Sequence, residues 1–160
     1  MHTAFIALGS NLGDPETKVR EAIAALAGLP QTRLETASSL YRSAPVGHAD
    51  QPDFVNAVAQ LATALTPQAL LAALLAIEAR YGRVRSFANA PRTLDLDLLL
   101  YDAQSVSESG LAVPHPRMHQ RAFVLMPLVE IAPDCIIPGR GPAADWLKRC
   151  GDQNIDRLAP

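Results

Sequence analysis

"APRTLDLDLLLY", residues 90–101, places two carboxylates inside a run that otherwise reads as a buried β-strand. Side chains of a strand alternate between its faces, so Asp95 and Asp97 share one face while Leu94, Leu96 and Leu98 share the other. The leucines read as core, and the carboxylates are aimed at something outside it. Such a pair suits a hard cation such as Mg²⁺, which prefers carboxylate and phosphate oxygens and commonly joins a protein to a nucleotide. It also fits an edge strand whose solvated aspartates discourage aggregation. Arg92 just before the strand, with Arg83 and Arg85 in "RVRSFANAPR", supplies guanidinium groups where carboxylates and a polyphosphate would meet.

Working back from this strand, Thr66 and Pro67 open a helix whose Leu70, Leu74 and Ile77 share a face, and Tyr81-Gly82 closes it. A strand begins at Phe54. "LETASSLYR" at 34–42 alternates loosely as another strand, and "APVGHADQPD" is the loop between them. Asp14 and Pro15 start an earlier helix, on which Val19, Ile23 and Leu26 recur until Gly28, and residues 3–8 form the first strand. The order β-α-β-β-α-β predicts an α+β, ferredoxin-like core: an antiparallel sheet with helices packed on it. Beyond residue 101, prolines at 114, 116, 127 and 133 predict an irregular C-terminal extension of short helical pieces, with "AADWLKRC" as one short helix. Without a repeat, low-complexity tract or linker, residues 1–160 are expected to form a single domain.

Composition narrows the function classes. Hydrophobic residues make up 49% and charged residues 19%, and the net charge is −2, so no basic nucleic-acid surface is expected. "MHTAFIAL" lacks the basic leader of a signal peptide, and "LLAALLAI" is too short to span a bilayer, so a soluble cytoplasmic protein is expected. Cys135 and Cys150 lack paired metal spacing and carry a structural role or none.

Two further groups could carry chemistry. Phe54 and Asn56 fall on one strand face, opposite Val55, Ala57, Ala59 and Leu61; a ring beside a carboxamide can stack on and hydrogen-bond a flat heteroaromatic ligand. The bland reading is a core phenylalanine beside a satisfied asparagine. Backbone groups at Ser43, Pro45 and Val46 in the preceding loop could complete such a pocket. In "PHPRMHQRAF", His115 and Arg121 read as donors to phosphate oxygens and Phe123 as a second aromatic wall, while His119 reads as a surface or capping residue. Pro116 and the missing glutamate argue against a zinc-protease pair at His115 and His119. "LGSNLGD" is no Walker loop, because no GK[ST] follows; it is a strand-to-helix turn with possible anion contacts.

Four segments occurring in order, "ALGSNLGD" at 7–14, "YRSAPVG" with "QPDFVNA" at 41–57, "PRTLDLDLLLY" at 91–101 and "VPHPRMHQRAFVLMPLVEIAPD" at 113–134, together resemble the 6-hydroxymethyl-7,8-dihydropterin pyrophosphokinase family of folate biosynthesis. The resemblance implies transfer of the terminal pyrophosphate of ATP to the pterin hydroxymethyl group, leaving AMP. It implies Asp95 and Asp97 as ligands of two Mg²⁺ ions and Arg83 and Arg92 as catalytic cations. The pterin would lie between Phe54 and Phe123, read by Asn56 with Ser43, Pro45 and Val46. ATP, the co-substrate, would meet Glu78, Arg83, Arg85, Arg92, Leu98, His115 and Arg121. The family also implies a loop around residues 83–92 that closes over both substrates. This chain departs from other members at Asn89-Ala90, Leu75 and Gly110, positions that spare the carboxylates and the pterin pocket. Small-molecule substrates, no nucleic acid, no membrane and a monomer are the expected partners. Two readings compete: a catalytically silent pterin- or nucleotide-binding paralogue, and another Mg²⁺-dependent nucleotide-using transferase.

Overall fold

The antiparallel sheet at the centre of the molecule is built from strands with two differently used faces. The computed structural model describes residues 1–45, 52–81 and 94–160. In chain order the elements are β1 (His2–Ser10), α1 (Pro15–Ala27), β2 (Thr32–Ala37), β3 (Tyr41–Ser43), β4 (Phe54–Thr63), α2 (Pro67–Arg80), β5 (Asp95–Tyr101), β6 (Val106–Glu108), β7 (Leu111–Val113), a 3₁₀ turn (Met118–Gln120), α3 (Ala122–Ile131), β8 (Ile136–Ile137), β9 (Gly141–Pro142), α4 (Ala143–Lys148) and β10 (Ile155–Arg157). The sheet runs β10-β3-β4-β1-β5, with β2 also on β4, and every pairing is antiparallel. Among the first elements, β4 lies between β1 and the β2/β3 pair, and β1 separates β4 from β5. That is the interleaved order that two β-α-β units of the ferredoxin type require.

Local chemistry sets both long helices. Asp14 caps α1 by accepting the Thr17 N–H and hydroxyl, at 3.3 and 2.8 Å, with Pro15 at the first helical position. Thr66 caps α2 through the Ala69 N–H at 3.1 Å, followed by Pro67. Val19, Ala22 and Leu26 of α1 and Leu70, Leu74 and Ile77 of α2 are buried against one sheet face, on Ala4, Ile6 and Leu8 of β1, Val55, Ala57, Ala59 and Leu61 of β4, and Leu96 and Leu98 of β5. Gly13, with φ of +68°, lets the "LGD" turn close, and the Lys18 ammonium donates to the Leu12 carbonyl across it at 2.7 Å.

The opposite face carries a second core: Phe5, Val58, Leu99 and Leu100 meet Val124, Leu125 and Leu128 of α3, with Ile137, Ala143 and Cys150 around them. Register slips along the strands shape it, among them one between Leu34 and Thr36 of β2. Phe5 pairs with Leu100 but Ile6 with Leu98, so Leu99 is an extra residue, and Leu99 and Leu100 both reach the α3 side. On β4, Ala37 faces Ala59 but Tyr41 faces Asn56, so one residue of register is lost between β2 and β3. The Ser38 hydroxyl accepts the Val58 N–H at 2.9 Å and the Ser38 N–H donates to the Val58 carbonyl at 2.8 Å, fixing the slip. The single strand expected over 34–42 is therefore two, and Tyr41 and Ser43 stand on the α3 side.

The last third is more regular than its prolines suggest. α3 continues through Pro127. A mid-helix proline costs about 3 kcal/mol. Burial of Val124, Leu125 and Leu128 at roughly 1.5–3 kcal/mol each outweighs it. The tail returns as β10 on β3. His119, expected at the surface, is 6% exposed: it packs edge-on to Trp146 with ring centroids 4.9 Å apart, and its Nδ1 has no hydrogen-bond partner among the described residues. Local spacing had no means of showing α4 closing over it.

Candidate active site

Where α3 stops covering the second face, the sheet becomes polar. Register aligns Asn56 of β4, Gly9 of β1 and Asp95 of β5 in one row across three strands, with Ala7 beside Asp97 in the next row. At about 4.8 Å between strands, Asn56 and Asp95 are roughly 10 Å apart, and the residue between them has no side chain. A Cβ at Gly9 would sit 3.3 Å from Asn56 Oδ1, so glycine keeps the floor open beside the carboxamide.

These residues floor a cavity of about 750 Å³. Ser43, Pro45, Phe54 and Asn56 line one end, Asp95 and Asp97 another part, and Arg121 and Phe123 at the start of α3 close over it. Asn56 is 4% exposed, and its Nδ2 donates to Ser43 Oγ at 2.7 Å. That bond fixes which way the amide faces and leaves the Asn56 Oδ1 beside Gly9 as an acceptor. The Arg121 guanidinium lies 5.5 Å from the Phe123 ring centroid, so cation and ring form one wall.

Residues that sequence reading passed over also line it: Gln120, Gln153 and Asn154. The Gln153 Oε1 accepts the Ala122 N–H at 2.9 Å and its Nε2 donates to the Gln120 carbonyl at 2.8 Å. The tail amide thus caps α3, whose Arg121 makes no side-chain cap, and so sets the helix end that carries Arg121 and Phe123. No local pattern in "CGDQN" signals this, because the contact spans some thirty residues.

His115 lines a second cavity of about 540 Å³ with Arg140, Ser105 and Ser107. Its backbone N–H donates to the Leu99 carbonyl at 2.9 Å, and its Nδ1 accepts the Arg117 N–H at 3.2 Å, leaving Nε2–H as the ring's donor. Burial pushes its pKa below the ordinary imidazole value; the Asp97 carboxylate opposes this, and the Arg121 and Arg117 charges add to it. Besides His115, two further expected ATP residues do not line the first cavity. Leu98 is packed in the α1/α2 core, and Glu78, 3% exposed, accepts the Leu96 N–H at 2.7 Å. Val46, Arg83, Arg85 and Arg92, and the closing loop expected around residues 83–92, lie outside the described residues.

The donor set fits a hard cation. Among the described residues no group of three or more His, Cys, Asp or Glu side chains forms a complete cage. Mg²⁺ needs no such cage: it is commonly held by one or two carboxylates with waters and substrate phosphates. Asp95 and Asp97 on one cavity wall supply that minimum.

Residues 5–133 match the family model described as 7,8-dihydro-6-hydroxymethylpterin-pyrophosphokinase. The chain is 49% identical over 154 residues to a Pseudomonas aeruginosa protein named 2-amino-4-hydroxy-6-hydroxymethyldihydropteridine pyrophosphokinase, covering 96% of this chain and 95% of that one. It is 45% identical over 160 residues to a Haemophilus influenzae protein of the same name, across the full length of both. The fold is similar to a crystal structure of Plasmodium falciparum HPPK-DHPS, with a TM-score of 0.74 over 92% of this chain and 45% of that one. The chain therefore spans less than half of that longer protein, and at 12% identity the likeness speaks for the fold.

Proposed function

The chain belongs to the 7,8-dihydro-6-hydroxymethylpterin-pyrophosphokinase family, and we propose that the cavity over β4, β1 and β5 is where it carries out that family's reaction. The enzyme is an ATP-dependent pyrophosphokinase of folate biosynthesis that transfers pyrophosphate to the hydroxymethyl group of 6-hydroxymethyl-7,8-dihydropterin. The hydroxymethyl oxygen attacks the β-phosphorus of ATP. The bond from that phosphorus to the α–β bridging oxygen breaks, AMP departs and the hydroxyl proton is released to water.

In this reading the pterin ring stacks between Phe54 and Phe123. The Asn56 amide, oriented by Ser43, reads its polar edge, with backbone groups at Pro45 and Val46 assisting. The exocyclic CH₂OH then points along the Gly9 row toward Asp95. Asp95 and Asp97 would hold two Mg²⁺ ions, which when bound supply charge neutralisation on the triphosphate and an in-line arrangement of its β-phosphorus. Arg121 holds a phosphate oxygen from the opposite wall, with His115 Nε2–H as a neutral donor. Arg83, Arg85 and Arg92, placed by the resemblance, balance charge that spreads during transfer. Catalysis is then positioning plus electrostatics, with no dedicated general base.

All these groups come from one chain, which we assign as a single domain over residues 1–160 acting as a monomer in the cytoplasm. Among the described residues no helix is long and apolar enough to cross a membrane. The observation that carries the reading is the row Asn56, Gly9, Asp95: a ring-reading amide and a carboxylate wall in one cavity, with open floor between. The test is nucleotide chromatography after incubation with ATP, Mg²⁺ and 6-hydroxymethyl-7,8-dihydropterin. Pterin-dependent AMP is the expected product. ADP would make the protein a simple kinase, and pterin binding without turnover a silent module.

A further inference from the structure

We propose that Glu78, at the C-terminal end of α2, is a positioning residue that sets the geometry of the Asp95–Asp97 pair by holding the peptide between them; this rests on the assignment of those aspartates as the metal-binding carboxylates.

Among the described residues β5 is an edge strand that pairs with β1 alone, so alternate N–H groups on its outer side have no described strand beside them. One of these belongs to Leu96. Leu96 is 4% exposed and Glu78 3%, so neither group turns to water. The Glu78 Oε2 accepts the Leu96 N–H at 2.7 Å, the short distance of a charge-assisted bond. That N–H is part of the Asp95–Leu96 peptide unit. Fixing this plane fixes the direction in which Asp95 leaves the strand and, through the pleat, the direction of Asp97 one step on. Glu78 itself is anchored by Leu74 and Ile77 on the same helix, both fully buried. The side chain approaches from the strand edge, while the aspartates project into the cavity. It therefore acts through the backbone.

Groups that orient metal-ligating side chains typically matter by 10–100-fold in metal affinity or activity. Geometry and charge are separated by two variants. Glu78→Gln keeps an acceptor at the same reach and removes the charge; Glu78→Asp keeps the charge and withdraws the acceptor by one methylene. The readouts are hydrogen exchange at the Leu96 amide by NMR, Mn²⁺ affinity by electron paramagnetic resonance with a non-transferable ATP analogue, and pterin affinity by calorimetry. Glu78→Gln is expected to keep slow Leu96 exchange and Mn²⁺ affinity within about three-fold of the parent. Glu78→Asp is expected to lose the protection and weaken Mn²⁺ by about 10–100-fold, with pterin affinity unchanged. A folded Glu78→Asp protein with parental Mn²⁺ affinity would overturn the inference, as would a Glu78→Gln protein weakened as much as Glu78→Asp, since charge would then be the cause. If Asp97→Ala leaves Mn²⁺ affinity untouched in the parent background, the carboxylate assignment itself has failed and the inference falls with it. If Asp97→Ala abolishes Mn²⁺ binding while Glu78→Asp is silent, the inference alone falls.

Discussion

The two faces of the sheet use the same three strands, β1, β4 and β5, differently. Under α1 and α2, the inward positions of β1, β4 and β5 are apolar along their length: Ala4, Ile6 and Leu8, then Val55, Ala57, Ala59 and Leu61, then Leu96 and Leu98. On the other face the same strands change character part-way. Phe5, Val58, Leu99 and Leu100 pack beneath α3, and the residues two and four positions along become Ala7, Gly9, Asn56, Asp97 and Asp95. One face is a continuous core; the other is half core and half site. The comparison teaches that chemistry occupies the part of a sheet face that the covering helix leaves bare, while the opposite face keeps that part rigid.

Substitutions should therefore separate stability from chemistry by face. The largest stability loss is expected for Leu61→Ala, which empties a fully buried position under the helices. It should cost about 2–5 kcal/mol in urea denaturation, with turnover per folded molecule preserved. Turnover lost in proportion beyond the unfolded fraction would show that the faces are not separable. Phe54→Ala on the site face should weaken pterin binding about 10–100-fold by calorimetry, or ~1.4–2.8 kcal/mol, and leave nucleotide-analogue affinity in place. Equal loss of both ligands would mean that the two ends of the cavity are not distinct.

Between these lies the tie from α3 to β3. Glu130 accepts the Ser39 N–H and hydroxyl and the Tyr41 hydroxyl, and pairs with Arg157 at 3.6 Å. Burial and the bond to Glu130 push the Tyr41 phenol up to about 12, so it remains the donor. Burial also raises Glu130, but the Tyr41 and Ser39 hydrogen bonds outweigh it and hold the carboxyl below its ordinary value. A depressed carboxyl stabilises the fold above the unfolded value of 4.5 and loses that contribution as pH falls through the folded value. Glu130→Gln should thus cost about 1–2 kcal/mol at pH 7, and the difference from the parent should shrink in thermal melts below pH 4.5.

The smallest effect is expected at His119. Burial and then the Arg140 charge lower its pKa, so it folds neutral. Protons bind preferentially to the unfolded chain as pH drops below 6.5, and stability falls in that window. His119→Phe should flatten the fall by less than about 1 kcal/mol at pH 6. An unchanged slope would place the acid-sensitive group elsewhere.

Much of this was legible in sequence because it depends on short-range periodicity. The alternation in "TLDLDLLLY" placed Asp95 and Asp97 together and opposite the leucines, and the Asp14-Pro15 and Thr66-Pro67 caps placed both helix starts. What escaped depends on pairing partners. Two one-residue slips, between Leu34 and Thr36 and again at Ser38, cancel in parity, so alternation through 34–42 puts Leu34 and Leu40 in one core and Tyr41 and Ser43 on the α3 side, but it gives no sign that the run is two strands. Pro127 signals a helix break unless the burial gained by α3 is counted. His119 reads as polar surface until Trp146 covers it, and Gln153 has no signature at all. The Leu96 N–H bond of Glu78 is likewise invisible without knowing that β5 is an edge among the described residues.

The most direct test of the separation between faces is to measure melting temperature and AMP formation for Asp95→Asn with Asp97→Asn in one chain. The expected result is a melting temperature close to that of the parent, since both side chains line the cavity and not the apolar core, with AMP formation reduced on the order of 10²–10³-fold or more. A protein that melts much earlier yet keeps the parental rate per folded molecule would show that the aspartates hold the strand and do not serve the reaction.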